Sequence, residues 1–264
     1  MDLIHALLLG IIQGITEWLP VSSSGHLVIA QEMLGLSAEE NLLFDLFVHA
    51  GTLAAVCVFF RREILKIILA MFKCKDMRDE NDEKLRKLGY LILIATIPVG
   101  ITGILLTDVI EEIFTLQLVG AALLINAVVL VLAERAGTRN TNKSVGFVEA
   151  MVAGIFQAVA IFPGISRSGS TLSGGLFTGL EREVAATFAF LLSVPALVAA
   201  FAYGIVKLDI YDSDMIIMSA GAVTAFMTGL ASIGFLLKAV KSGKLWIFGV
   251  YCAILGAIVV AFTI

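Results

Sequence analysis

The chain carries little charge for its length. Charged residues make up 15% of its 264 residues, whereas hydrophobic residues make up 59% and the mean hydropathy is +0.99. Soluble domains have a larger charged share and a smaller apolar share. The composition therefore excludes an ordinary soluble protein and predicts a membrane protein.

Cysteine and basic N-terminal residues are also scarce. The three cysteines, Cys57, Cys74 and Cys252, are scattered, and two of them lie in apolar runs, so we expect no disulfide and no metal cluster. Residues 1–3 (Met-Asp-Leu) include no basic residue, and no obvious cleavage site follows, so we expect no removable signal peptide. We predict one membrane domain over residues 1–264.

What the chain does contain is an internal repeat at a constant offset of 144 residues. Residues 10–27 read GIIQGITEWLPVSSSGHL, and residues 154–171 read GIFQAVAIFPGISRSGST. Each copy has an apolar helix, a break rich in proline, serine and glycine, and a second apolar helix. We call these the first break, which starts near Pro20, and the second break, which starts near Pro163. The pattern predicts two repeats, 1–145 and 146–264.

Hydropathy predicts an all-α integral membrane fold. Six full spans are expected, at 42–60, 89–107, 115–134, 183–205, 214–238 and 245–264. Four helices are too short to cross a hydrocarbon core of about 30 Å, namely 3–19, 23–36, 146–162 and 168–180. Each short pair surrounds a break and predicts a re-entrant hairpin, because non-helical backbone at membrane depth must be buried in protein or line a cavity.

The basic residues predict the orientation. Fifteen of the 18 Lys and Arg residues lie in the charged loop 61–87, in 135–145 and in 238–244, which we expect in the cytoplasm. The opposite side then receives the acidic residues Glu39, Glu40, Asp108, Glu111, Glu112, Asp209, Asp212 and Asp214. Both termini are expected outside. Three spans separate the two hairpins, so the second repeat is inverted and the two breaks are expected to meet.

The two breaks carry most of the polar residues inside apolar sequence, which makes them the functional candidates. The first offers Gln13, Glu17, Ser22, Ser23, Ser24 and His26, and the second offers Ser166, Arg167, Ser168, Ser170 and Thr171. Helix N-termini bind anions, and the planar guanidinium of Arg167 can hold two phosphate oxygens, so the set indicates phosphate chemistry. Glu17 and His26 can supply acid–base catalysis or activate a hydroxyl.

Several roles remain open at this stage. Ser22 and Ser166 could be helix caps alone. A carboxylate beside an anion site is normally repelled, so Glu17 could be a metal ligand, a base, or a partner of His26 or Arg167. In the last case Arg167 could serve only in a structural ion pair.

Three residues outside the breaks also need an interpretation. His49 and Asp45 lie near the start of the span 42–60 and are further candidates for the site. Glu134 lies at a span end, where we expect a solvated charge.

Two strings in the breaks resemble a known family. QGITEWLPVSSSGH (13–26) and PGISRSGST (163–171) are similar to the two signature motifs of the undecaprenyl-diphosphate phosphatase family of the bacitracin-resistance type. The resemblance covers essentially the whole chain. It implies interlocking inverted repeats with a site open to the outer face. It also implies hydrolysis of undecaprenyl diphosphate to the monophosphate, which recycles the lipid carrier for cell-surface glycans.

The resemblance also assigns residues. Carried over by position, it implies that Glu17, Ser23, His26, Ser166, Arg167 and Thr171 form the active site. We expect catalytic roles for Glu17, Ser23, His26 and Arg167, and substrate binding by Gln13, Ser22, Ser24, Ser166, Ser168 and Thr171. Ser23 is the expected nucleophile, with His26 or water as open alternatives. A divalent cation, Mg²⁺ or Ca²⁺, is implied by the resemblance alone, with Glu17 as its candidate ligand.

A second class of function fits the same architecture. Inverted repeats with broken helices are typical of secondary transporters, so a lipid flippase or transporter is the alternative. The partners expected from the sequence are a polyprenyl diphosphate lipid and the bilayer of the cell membrane, without nucleic acid. A homodimer remains open.

Cysteine labelling tests the orientation. In a chain whose native cysteines are replaced, a single cysteine in place of Asp212 should react with a membrane-impermeant thiol reagent added to intact cells. A single cysteine in place of Asn81 should react only after lysis, because the basic loop is cytoplasmic. Equal reactivity at both positions in intact cells would contradict the predicted orientation.

Overall fold

The structure, a computed structural model, describes residues 1–36, 42–113, 115–139, 141–207 and 214–263, and the described chain is all-helical. A short 3-10 turn covers Lys75–Met77. The eleven α-helices of the described ranges are α1 Leu3–Trp18, α2 Ser23–Met33, α3 Leu42–Phe59, α4 Arg61–Phe72, α5 Glu80–Ile113, α6 Leu116–Ala136, α7 Phe147–Val159, α8 Arg167–Phe177, α9 Arg182–Lys207, α10 Met215–Lys241 and α11 Leu245–Thr263.

Six of these helices are long and apolar enough to cross a membrane. They are α3, α5 (over Glu80–Leu106), α6, α9, α10 and α11. The six full spans predicted from hydropathy are therefore confirmed as candidate spans, and the chain is a multi-pass membrane protein. α1 and α7 are apolar but shorter than a span.

The charged segment 61–87 is not the loop that the sequence predicted. Its first part is α4, which buries Ile67 and Ala70, and its last part is the start of α5. The frequent charges made the helical spacing of the apolar residues hard to recognise in the sequence. A helix can bury one apolar face while its charges stay on the other. Between the two helices Lys73 donates to Asp82 at 2.5 Å, and this hydrogen bond raises the pKa of Lys73.

Each break separates two short helices that contact each other, α1 from α2 and α7 from α8. α1 ends at Trp18 because Pro20 follows and the backbone of Leu19 is extended. α2 begins behind the N-cap Ser22, and α8 behind the N-cap Ser166. The first break therefore occupies residues 19–22, and the second break occupies residues 160–166.

The helices of the two halves are packed into one another. α1 lies along α10, α7 lies along α5, and α6 pairs with α11. Gly10 and Gly154, which are 144 residues apart, both stand at these contacts. A methyl group on Gly10 would collide with the carbonyl of Gly221, and one on Gly154 would collide with the carbonyl of Ala95. Both positions need glycine because another helix backbone passes so closely.

The expectation of a solvated charge at Glu134 is wrong. Glu134 is 8% exposed and forms an ion pair with Arg182, and its second carboxylate oxygen accepts from the backbone N–H of Leu245 at 2.8 Å. Arg182 also donates to the carbonyls of Gly137 at 3.2 Å and Val240 at 3.5 Å. A span end is solvated only if no other element covers it, and here the start of α9 and the turn before α11 do.

Four of the eight acidic residues expected on the outer side cannot be compared with the structure. Glu39, Glu40, Asp209 and Asp212 lie outside the described residues. Asp214 is described and caps α10, where its carboxylate accepts from the N–H of Ile216 at 3.0 Å.

Candidate active site

The two breaks meet at the carboxylate of Glu17. This side chain is 3% exposed, although it belongs to an apolar helix. Arg167, the first residue of α8, donates from Nη2 to Glu17 Oε1 at 2.7 Å. A buried charge is tolerated when an opposite charge and hydrogen bonds compensate its lost hydration. The ion pair joins residues 150 positions apart in the chain.

The other carboxylate oxygen of Glu17 has three neighbours. Gln13 donates from Nε2 to Oε2 at 3.0 Å, and Ser23 donates from its hydroxyl to the same oxygen at 2.6 Å. The Nε2 of His49 lies 3.6 Å from it. We call these five residues, Gln13, Glu17, Ser23, His49 and Arg167, the Glu17 cluster. Gln13 and Glu17 share a helix face, as their spacing of four residues predicts.

The bond between Ser23 and Glu17 has the geometry of a nucleophile and its base. The hydroxyl hydrogen points at a carboxylate oxygen, and a separation of 2.6 Å is typical of a charge-assisted O–H···O bond. Glu17 can accept the proton if the serine oxygen attacks an electrophile. Ser23 is partly exposed at the first position of α2.

His49, an open candidate in the sequence, lies at the site. Its Nδ1 is 2.7 Å from the carbonyl of Asp45, which can only accept, so Nδ1 carries a proton. Attraction between Nε2 and Glu17 therefore requires a second proton on the ring. The carboxylate of Asp45 instead accepts from Gln31 at 2.9 Å and takes no part in the Glu17 cluster.

Asn126 holds the two breaks together, and the sequence reasoning missed it. Its Nδ2 donates to the carbonyl of Pro20 at 3.0 Å, and its Oδ1 accepts from the N–H of Ser166 at 3.4 Å. Asn126 is 1% exposed in the middle of α6. Ser168 adds a second link, because its hydroxyl donates to the carbonyl of Leu19 at 3.2 Å. An amide in the middle of an apolar span was the available signal.

Ser22 and Ser166 are helix caps, and Ser24 lies beside the first of them. Ser22 accepts from the N–H of Gly25 at 3.3 Å, and Ser166 accepts from the N–H of Gly169 at 3.1 Å. Ser24 lies 3.4 Å from the Ser22 hydroxyl. Ser22 has φ = 70°, the only positive φ of a non-glycine residue in the described ranges. Such strain persists where the surroundings enforce it, and it is common at functional sites.

Besides Ser22, Ser24, Ser166 and Ser168, two further predicted site residues do not belong to the Glu17 cluster. Thr171 is 1% exposed, and its hydroxyl donates to the carbonyl of Arg167 within α8 at 2.8 Å. His26 is held by the carbonyl of Ser22 at Nδ1 and by the hydroxyl of Tyr251 at Nε2, each at 2.7 Å. Within the described ranges, no hydrogen bond joins His26 to Ser23 or Glu17. The structure thus brings four predicted residues together, Gln13, Glu17, Ser23 and Arg167.

The residues present would suit a divalent cation only in part. No group of three or more His, Cys, Asp or Glu side chains among the described residues could hold a metal ion. The Oε1 of Gln13, however, is a buried acceptor without a partner, on the residue that bonds Glu17. Mg²⁺ is often bound by one or two protein oxygens together with substrate phosphates. Glu17 and Gln13 fit a cation of that kind.

Comparison with known proteins finds a matching family and relatives that cover the full length of the chain. Residues 6–258 match the family described as bacitracin resistance protein BacA. An undecaprenyl-diphosphatase of Methanosphaera stadtmanae is 41% identical over 275 residues, covering 100% of this chain and 99% of the relative. One from Syntrophotalea carbinolica is 41% identical over 261 residues and covers 97% of both chains. One from Alkaliphilus metalliredigens is 36% identical over 276 residues and covers 100% of both.

Replacing Asn126 tests its bridging role. Asn126→Leu has a similar volume but leaves the Ser166 N–H unpaired and the Pro20 carbonyl with only the weak thiol donor of Cys252, and an unpaired buried polar group costs about 1–3 kcal/mol. We expect the unfolding free energy in mixed micelles to fall by about 2 kcal/mol or more. Ser232→Ala is the control, because that buried hydroxyl bonds only the carbonyl of Thr228 in its own helix. Equal losses for both variants would show that Asn126 holds nothing specific.

Proposed function

This chain belongs to the bacitracin resistance protein BacA family, and we propose that it hydrolyses undecaprenyl diphosphate to undecaprenyl phosphate and inorganic phosphate at the Glu17 cluster. One observation carries the assignment of the site. A single buried carboxylate bonds the hydroxyl of Ser23, just after the first break, and Arg167, just after the second break. Nucleophile, base and phosphate-binding cation thus converge on one point.

The reaction follows from these contacts. The oxygen of Ser23 attacks the terminal phosphorus, and Oε2 of Glu17 accepts the hydroxyl proton. The bond between that phosphorus and the bridging oxygen breaks, so undecaprenyl phosphate leaves with the electron pair. Water then attacks the phosphoserine, which releases inorganic phosphate and restores the serine. Covalent catalysis of this kind divides one difficult step into two easier ones.

Arg167 and the helix ends stabilise the transferred group. Phosphoryl transfer spreads negative charge over the equatorial oxygens, so positioned donors supply most of the catalysis. The hydrogen bond to Glu17 uses only Nη2 of Arg167, and the side chain is 23% exposed. Its other nitrogens can bind phosphate oxygens. The N-termini of α2 and α8 begin at the breaks and add backbone N–H groups.

The ion pair also explains how a carboxylate can lie beside a diphosphate. Arg167 neutralises Glu17, so the net charge of the pair does not repel the substrate. Ser23 is favoured over His26 as nucleophile, because Ser23 bonds the base directly whereas both ring nitrogens of His26 are engaged elsewhere. Attack by water activated at Glu17 is the alternative that a Ser23→Ala variant would reveal.

A divalent cation belongs to the proposal as a companion of the substrate. Glu17 and Gln13 would hold Mg²⁺ or Ca²⁺ together with phosphate oxygens. A bound cation would supply further neutralisation of the diphosphate charge. Gln13 is neutral and cannot take the place of Glu17 in charge-dependent binding.

The proposal extends to the finer architecture. Residues 1–145 and 146–264 would form two inverted repeats in one membrane domain, with α1/α2 and α7/α8 as re-entrant hairpins. The constant sequence offset and the reciprocal packing of α1 on α10 and α7 on α5 support it. Both termini would lie outside, and the site would open to the outer face. The prenyl tail would lie between spans in the lipid.

Release of phosphate tests the function. Protein purified in detergent should liberate inorganic phosphate from a C55 prenyl diphosphate, and the Ser23→Ala variant should lose this activity. Transport of lipid or solute across vesicles without hydrolysis would instead support the flippase or transporter alternative.

The substitution Arg167→Lys tests whether Arg167 acts through its planar guanidinium or only through its positive charge. Lysine keeps the charge but cannot bind two phosphate oxygens in the bidentate manner of arginine. We expect turnover to fall at least about tenfold, which corresponds to roughly 1.4 kcal/mol in the barrier. Steady-state kinetics with the C55 substrate measure it. Turnover close to wild type would reduce Arg167 to a simple counter-charge of Glu17.

The substitution Glu17→Gln tests whether Glu17 acts as a metal ligand or as a base. If Glu17 helps to hold a cation, the variant should need a higher concentration of Mg²⁺ or Ca²⁺ for half-maximal activity. If Glu17 is only the base, turnover should fall while the metal dependence stays unchanged. We expect both changes, led by the metal dependence. Metal titration of variant and wild type in parallel decides between them.

A further inference from the structure

His26 makes two hydrogen bonds that together fix its chemical form. Its Nδ1 lies 2.7 Å from the carbonyl oxygen of Ser22, and a carbonyl oxygen only accepts. Nδ1 therefore carries the proton in the neutral ring, and Nε2 has the lone pair. Nε2 lies 2.7 Å from the hydroxyl oxygen of Tyr251, so the tyrosine donates to the neutral imidazole.

Tyr251 is arranged to hold this ring. The rings of His26 and Tyr251 are nearly parallel, at 10°, with centroids 5.6 Å apart. Tyr251 is 45% exposed, so burial alone does not explain its position. The next residue, Cys252, lies with its sulfur 3.7 Å from the carbonyl of Pro20 and 3.4 Å from Nδ2 of Asn126. Two consecutive residues of α11 thus contact the region of the first break.

We propose that Tyr251 is a positioning residue for the reaction, which fixes the orientation and tautomer of His26 through the hydrogen bond to Nε2. The inference rests on the proposed function and on the catalytic role that the family resemblance implies for His26, to which it adds proton exchange at Nε2. Nε2 is the only ring nitrogen free of the backbone, so it is the nitrogen that can exchange a proton. A hydroxyl donates to the lone pair when His26 is neutral and accepts from N–H when it is charged. The ring therefore stays in place in both states.

The substitution Tyr251→Phe tests the hydroxyl without removing the ring. We expect kcat for release of phosphate from a C55 prenyl diphosphate to fall about tenfold, as the loss of one hydrogen bond of about 1.4 kcal/mol in the transition state requires. KM should change little, because Arg167 and the helix ends bind the diphosphate. Tyr203→Phe is the matched control, since Tyr203 is an exposed tyrosine at 51% on α9.

Nitrogen NMR provides a readout that does not depend on activity. The chain has only three histidines, His5, His26 and His49, so ¹⁵N-histidine labelling gives few signals, and a His26→Ala spectrum assigns those of His26. In wild type at neutral pH, Nδ1 should appear protonated and Nε2 unprotonated and hydrogen-bonded. Tyr251→Phe should shift the Nε2 signal toward that of a free lone pair, whereas Tyr203→Phe should not.

The outcomes separate the two proposals. Wild-type kcat together with an unchanged Nε2 signal in Tyr251→Phe would overturn the role of Tyr251. A normal Tyr251→Phe with an impaired Tyr251→Leu would also overturn it, because ring packing alone would then be responsible. A wild-type protein that releases no phosphate would instead refute the proposed function, while the nitrogen signals would still report whether Tyr251 bonds His26.

Discussion

The fold depends on neutralising one buried carboxylate. Glu17 is the one acidic residue of a largely apolar helix, and its charge is compensated by Arg167 from the other half of the chain. The two breaks must therefore stay in contact, and Asn126 and Ser168 bond across them to keep them there. The polar groups of both breaks are satisfied mainly by each other, which allows irregular backbone inside an apolar fold.

In the proposed function, the same compensation prepares the site for an anionic lipid. A carboxylate alone would repel a diphosphate, and an arginine alone would bind it without activating a nucleophile. As a pair, Glu17 accepts a hydrogen bond from the hydroxyl of Ser23, and Arg167 keeps donors that the bond to Glu17 does not use. The N-termini of α2 and α8 add backbone N–H donors, and these uncharged groups need no counter-charge. In the proposed function, the contact between Glu17 and Arg167 therefore serves both the stability of the fold and catalysis.

The sequence predicted those features that are periodic or local. The six spans, the short helices and the shared face of Gln13 and Glu17 follow from hydropathy and helical spacing. Contacts between distant residues could not be predicted in this way. The pairing of Glu134 with Arg182, the bridge at Asn126 and the bond between His26 and Tyr251 depend on tertiary packing. Charge density also concealed α4, whose apolar face meets α5.

The reciprocal packing of the two halves has a consequence for biosynthesis. α1 emerges first from the ribosome, yet the helix that lies along it, α10, is almost the last to be made. The first half must therefore wait in the membrane until α8 brings Arg167 to Glu17. The two halves cannot fold one after the other during membrane insertion, so assembly is completed only after synthesis ends.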